Sequence, residues 1–251
     1  MKNILITNDD GVFAEGINAL AKVLGKKHKI TMVAPDRERS AASHSLTLNR
    51  PLRIINVDEN KFAVDGTPTD CVILAINSIL KTKPDLVISG INNGPNLGED
   101  VLYSGTVAAA IEAMSMEYPA IAVSLASYEK GDFFDCADII DSLFDKDFTS
   151  IASPHTILNI NIPPLHSSKI KGCKVTRLGH RIYNDFIVEK EDPRGRPYFW
   201  IGGQVPEWTE SGDTDFDAIK EGYVSITPLT IDMTNYSYFP KLEEWIKNHS
   251  L

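Results

Sequence analysis

Apolar residues along the first two-thirds of the chain come in two alternating textures. Short continuous runs stand at Ile4, Leu5 and Ile6, in "KITMVAPD" (29–36), "PDLVISG" (84–90), "PAIAVSL" (119–125) and "TILNINIP" (156–163). Such runs mark strands buried on both faces. Between them apolar residues recur at helical spacing, first at 17, 20, 21, 23 and 24. "GTPTDCVILAINSIL" carries a helix start, with Thr67 as N-cap, Pro68 at the first position and Asp70 three residues after the cap. "SGTVAAAIEAM" and residues 132–145 read as two more helices, and "RPLRIINV" with "KFAVDG" as a short hairpin. Strands separated by single helices predict an α/β fold with a mostly parallel sheet and right-handed crossovers. That core is expected over residues 1–165.

The texture changes over 166–251. "GCKVTRLGHRIYNDFIVEKEDPRGRPYFWIGG" alternates apolar with polar residues around a "DPRGRP" turn, which predicts a β-hairpin. "GYVSITPL" reads as a returning strand and "KLEEWIKNH" as a terminal helix. These belong with the core in one structural unit. A hairpin of that length leaves an apolar side poorly covered, so a second subunit is expected against it.

Composition narrows the functional classes. At 251 residues, 43% hydrophobic and 24% charged, the chain is long enough for one large core and ordinary for a globular protein. No apolar run approaches the roughly 20 residues that span a bilayer, and the N-terminus does not read as a signal peptide. Three scattered cysteines (Cys71, Cys136, Cys173) without a CxxC suggest reduced thiols and a cytoplasmic location. A net charge of −9 argues against a nucleic-acid polymer as partner. A small phosphorylated substrate remains compatible, because a metal and oriented N–H groups reverse the local field.

In an open parallel sheet, ligands bind beyond the carboxyl ends of the strands. Three strand ends carry unusual polar chemistry: "TNDDG" (7–11), "DRERSAASHS" (36–45) and "SGINNGPNLGEDVLYSGT" (89–106). Asp9 and Asp10, held within about 4 Å, would repel by roughly 4 kcal/mol at an effective dielectric near 20. Something positive is therefore expected beside them, unless they splay into water. The third loop ends in "SGT" at a helix start, where backbone N–H groups with the Ser104 and Thr106 hydroxyls make a phosphate site.

Each piece alone has a plainer reading: a turn for Asp9 and Gly11, a cap for Ser104, a solvated hydroxyl for Ser40, a structural hydrogen bond for His44. Their convergence on one sheet edge favours function. The six histidines show no HExxH or HxH spacing, so a metal would be hard. Asp9, Asp10, Ser40 and Asn92 form an all-oxygen donor set for Mg²⁺, Mn²⁺ or Ca²⁺. P-loop, GxSxG and GxGxxG motifs are absent, so ATP-driven, serine-hydrolase and nicotinamide readings lack support.

"ILITNDDG", "VAPDRERSAASHSLT", "DGTPTDCV", "SGINNGPNLGEDVLYSGTVAAAIEA" and "EGYVSITPL" together resemble the SurE family (stationary-phase survival protein E), whose members are metal-dependent nucleoside monophosphate phosphatases. Ala41 and Ala42 stand where glycine is common in that family. The resemblance implies a Rossmann-like domain with a C-terminal hairpin and tail that build a homodimer or homotetramer. It implies one divalent cation per subunit on Asp9, Asp10, Ser40 and Asn92, and phosphate binding by Asn96, Ser104, Gly105 and Thr106. Activity as a 5'-nucleotidase is expected, with 3'-nucleotides and short polyphosphate as further substrates. Water is expected to attack directly, with Asp9 as proton acceptor or solely as ligand. A covalent aspartyl-phosphate ranks second, and a nucleotide-binding module without turnover is the competing class.

Overall fold

A computed structural model describes residues 1–129, 131–182, 186–202, 207–209 and 211–249. Its strands are β1 (Asn3–Thr7), β2 (Lys29–Pro35), β3 (Ile54–Asp58), β4 (Lys61–Val64), β5 (Leu86–Asn93), β6 (Ala120–Leu125), β7 (Ile157–Ile162), β8 (Cys173–Val175), β9 (Arg181–Ile182), β10 (Phe186–Glu191), β11 (Pro197–Gly202), β12 (Glu207–Trp208) and β13 (Val224–Leu229). Its α-helices are α1 (Glu15–Leu24), α2 (Pro68–Leu74), α3 (Gly105–Ser115), α4 (Phe133–Phe144), α5 (Asp215–Lys220) and α6 (Phe239–Asn248). A π-helical turn, Ala75–Ile79, extends α2.

The pleat of β1 explains the layering. Ile4 and Ile6 enter one core cluster with α1 and α4, while Leu5 enters another with α2 and α3. Successive residues point to opposite faces, so a continuous apolar run is what a strand covered on both sides requires. The cap read from the sequence forms as expected: the Thr67 hydroxyl accepts from the Asp70 N–H and the Asp70 carboxylate accepts from the Thr67 N–H.

Nine strands make one sheet in the order β3–β4–β2–β1–β5–β6–β7–β13–β8. Strands β4, β2, β1, β5, β6 and β7 run parallel, and β3 pairs antiparallel with β4 as the expected hairpin. From β1 the chain winds outward through β2, then restarts on the other flank with β5. The winding reverses at β1, and its carboxyl end is where such sheets open a crevice for ligands.

The expected C-terminal hairpin forms around the turn at residues 192–196, with shorter arms than the alternating stretch suggests. The rest of that stretch pairs elsewhere. β8 joins the nine-stranded sheet parallel to β13, and β13 itself runs antiparallel to β7. β9 pairs with β12, leaving β10 and β11 as the hairpin proper. An edge strand alternates as a hairpin arm does, so alternation alone does not identify the partner. Residues 183–185 and Gly203, inside the expected hairpin, lie outside the described residues. Helix α5, unexpected from periodicity, is only six residues long but carries a capping box between Thr214 and Asp217.

The first residue of α5 joins the two parts of the chain. Asp215 is fully buried and accepts from the backbone N–H groups of Gly98 (2.8 Å), Gly179 (2.8 Å) and Phe216 (2.9 Å). Asp215→Ala leaves three buried donors without this acceptor. It should lower the unfolding free energy by about 3 kcal/mol in a urea titration, and a loss below about 1 kcal/mol would contradict this role.

Candidate active site

The turn after β1 is built by Asn8. Its buried amide accepts from the Gly11 N–H (3.2 Å) and donates to the Gly11 carbonyl (3.0 Å). Gly11, at φ +101°, passes so close to the Arg37 backbone that a Cβ would lie 3.1 Å from it. The loops after β1 and β2 are then joined by the Arg39 N–H donating to the Asp9 carbonyl (2.7 Å).

The two carboxylates leave this turn toward different elements. Asp9, 5% exposed, faces the N-terminus of α3, where the Thr106 hydroxyl donates to Oδ1 at 2.5 Å. Gly105 makes the approach fit, because a Cβ there would sit 2.7 Å from the Asp9 Cβ and 2.8 Å from Oδ2. Asp10 turns to the end of β5 and accepts from the Asn93 N–H at 3.0 Å. The neighbouring Asn92 donates its side-chain N–H to the Gly94 carbonyl (2.9 Å), leaving the amide oxygen for another partner. Ser40, next to the Arg39 that bonds Asp9, is exposed and donates to Glu38 at 2.6 Å. Among the described residues no three His, Cys, Asp or Glu side chains gather as a metal group. A cation site here would combine the two carboxylates with the neutral oxygens of Ser40 and Asn92.

The residues expected around phosphate divide into two groups. Ser104 and Gly105 stand at the mouth of α3. Ser104 is its N-cap, accepting from the Val107 N–H (3.0 Å), which leaves the hydroxyl proton to donate elsewhere. Thr106 gives its proton to Asp9. Asn96 is buried, with its amide N–H on the Ser124 hydroxyl (2.7 Å) and its backbone gripped from β7: Asn161 Oδ1 accepts its N–H, and the amides of Asn159 and Asn161 donate to its carbonyl.

A family profile described as survival protein SurE matches residues 4–185. A protein of Geobacter sulfurreducens named 5'-nucleotidase SurE is 49% identical over 244 residues, covering 97% of this chain and 93% of that one. One of the same name from Pelotomaculum thermopropionicum is 52% identical over 250 residues, covering 97% and 95%. The crystal structure of SurE from Aquifex aeolicus superposes with a TM-score of 0.87 at 43% identity, covering 97% of this chain and 99% of that one. The chain belongs to the SurE family.

In this chain the carboxylates sit in an unbalanced field. Burial pushes Asp9 up to about 6, and the charge of Asp10 adds to the rise; the Thr106 hydroxyl and the backbone N–H groups of Asp9 and Thr106 pull the other way. Asp10 is raised too, chiefly by burial and then by Glu38, against the Asn93 N–H. The side-chain charges acting on the pair are thus themselves negative.

Several supports of this site were not legible in the sequence: the Asn8 amide, the Arg39 and Asn93 N–H groups, and a brace formed by Glu99 and Asp100. Asp100 holds the Arg181 guanidinium at 2.7 and 2.8 Å, and Glu99 accepts from the Arg181 N–H and contacts His180. The Asn-Asp-Asp-Gly run does signal an Asx-type turn; the backbone donors leave no trace in side-chain identity.

Because the folded pKa of Asp9 lies above its unfolded value of 3.8, the folded state binds more protons between pH 4 and 6. Stability from this group is therefore present at acid pH and lost as pH rises through about 6, amounting to roughly 3 kcal/mol. With EDTA present, Asp9→Asn should melt above wild type at pH 7.5, the gap closing toward pH 4. A gap independent of pH would contradict the assignment.

Proposed function

We propose that this chain hydrolyses nucleoside 5'-monophosphates to nucleoside and orthophosphate, with one divalent cation, Mg²⁺ or Mn²⁺, held by Asp9, Asp10, Ser40 and Asn92. The observation that carries this reading is the adjacent carboxylate pair at the end of β1, Asp9 buried against Thr106 and Asp10 half-buried against the Asn93 N–H, each acted on by further negative charge. A pure phosphate binder gains nothing from two carboxylates beside its anion. The donor chemistry fits a hard cation, being oxygen throughout, and Ca²⁺ would satisfy the same donors. The names of the similar proteins, 5'-nucleotidase SurE, supply the substrate class.

When bound, such a cation neutralises charge on a phosphoryl oxygen and makes a water more acidic. The chain's own groups do the rest. The Ser104 hydroxyl and the Gly105 N–H, both at the N-terminus of α3, would hold the remaining phosphoryl oxygens, and the positive end of α3 favours the charge that develops on them. Thr106 keeps Asp9 oriented, and Asp9 accepts the proton of the attacking water. Asn96, anchored from β7, has a second amide hydrogen for the phosphate. The phosphorus–ester bond breaks as the bond to water forms, so no covalent enzyme intermediate is required. Tyr103, next to Ser104 in the chain, is 60% exposed, which suits a loosely held nucleoside and turnover of 3'-nucleotides and short polyphosphate.

Location and assembly belong to the same reading. Among the described residues no helix is long and apolar enough to cross a membrane, and all three cysteines are unpaired, in keeping with the cytoplasm. Trp200 of the hairpin and Trp245 of α6 are each more than half exposed, which supports a homodimer or homotetramer closed over these segments.

Phosphate release from AMP and GMP should appear with Mg²⁺ or Mn²⁺ and vanish with EDTA; no release with any metal from folded protein would leave a nucleotide-binding module. Gly105→Ala, which by propensity should strengthen α3, should instead lower kcat/KM by about 100-fold or more by displacing Asp9. Unchanged turnover would remove Asp9 from the reaction.

A further inference from the structure

The connection between β2 and β3 runs over residues 36–53 without regular structure and carries Ser40. Two of its non-glycine residues, Ala41 (φ 56°) and Ser43 (φ 52°), adopt left-handed backbone that L side chains resist. Such a conformation persists where surrounding contacts over-determine it. Several do. The Arg39 N–H bonds Asp9 and the Ser43 N–H bonds the Tyr103 carbonyl (3.3 Å). Further along, the Thr67 hydroxyl donates to the Ser45 carbonyl (2.8 Å) and the Thr47 N–H to Asp70 (3.0 Å).

The loop reaches α3 through His44. Its ring Nε2 lies 2.8 Å from the Glu112 Oε2, with His44 40% and Glu112 15% exposed. A carboxylate oxygen accepts, so Nε2 carries the hydrogen in this contact. Glu112 lies about two turns along α3 from Gly105 and Thr106, the residues that seat Asp9. One helix thereby holds both sides of the site: Asp9 at its N-terminus, and the Ser40 segment through the side of its barrel.

We propose that His44 is a positioning residue, whose bond to Glu112 fixes the Ser40 hydroxyl relative to Asp9 and so sets the affinity for the cation. This rests on the metal reading above. His44 bonds none of the ligands itself and acts through the four residues of loop back to Ser40, so its effect is expected at the lower end of the 10- to 100-fold that outer partners of a metal site typically exert.

The test titrates Mn²⁺ calorimetrically into the full, substrate-free chain, with thermal melts as folding control. Wild type should take up one Mn²⁺ and Asp9→Asn none. His44→Ala should bind about 10-fold more weakly at an unchanged melting temperature, and Glu112→Ala should reproduce the loss from the other end of the bond. His44→Gln, whose amide N–H can reach the carboxylate, should restore most of the affinity. Ser40→Ala combined with His44→Ala should bind no more weakly than Ser40→Ala alone, because an absent hydroxyl needs no placing. Wild type that takes up no Mn²⁺ overturns the metal reading and this proposal with it. Wild-type uptake with His44→Ala and Glu112→Ala both within twofold overturns the role of His44 alone, as would losses that multiply in the double variant.

Discussion

Asp9 is buried where the winding of the sheet reverses, and its carboxylate meets the N-terminus of α3 through the Thr106 hydroxyl. The rest of the carboxyl edge is arranged around that contact. Gly105 lacks a side chain where Asp9 enters, Arg39 is tied to the Asp9 carbonyl, and Asn93 holds the adjoining Asp10. Burying an ionisable group in this way is unfavourable unless donors compensate it. Asp215 is another buried carboxylate, held by three backbone donors that join two parts of the chain. Asp9 also has three donors, a hydroxyl and two N–H groups, but it has a second carboxylate beside it. That added negative charge is what a bound cation would offset.

Much of the core was legible because its signals are local. The apolar run of Ile4, Leu5 and Ile6 needs only a strand covered on both faces, and Thr67, Pro68 and Asp70 spell a cap within four residues. The convergence of three loops followed from parallel topology without knowledge of any contact. Other features depend on partners distant in sequence. Nothing in Thr106 announces Asp9, ninety-seven positions away, and nothing in Asn159 or Asn161 announces that both grip Asn96. The three-residue strand β8 reads equally well as a hairpin arm, since its pattern is set by exposure and not by its neighbour. Only α5 left a readable mark, the Thr214–Asp217 box, in a segment too short for periodicity to show.

The site is firm on one side and open on the other. Asn96 and Asp9 are clamped by β7 and α3, while Ser40 and Tyr103 lie toward solvent. Under the function proposed above, the clamped side would take the phosphate and the open side the nucleoside, the arrangement expected of an enzyme that recognises an ester more strictly than the group it carries.

The placement of β13 has a consequence for how the chain is made. All six residues of β7 are buried, and β13 covers the edge that β7 turns away from β6. That cover is translated only after the whole hairpin region, so on the ribosome β7 waits as an apolar, unpaired edge able to template pairing with another nascent chain. The sheet closes late, through a contact far apart in sequence, which slows folding by topology alone. Dense polysomes would be the setting in which this protein is most exposed to aggregation.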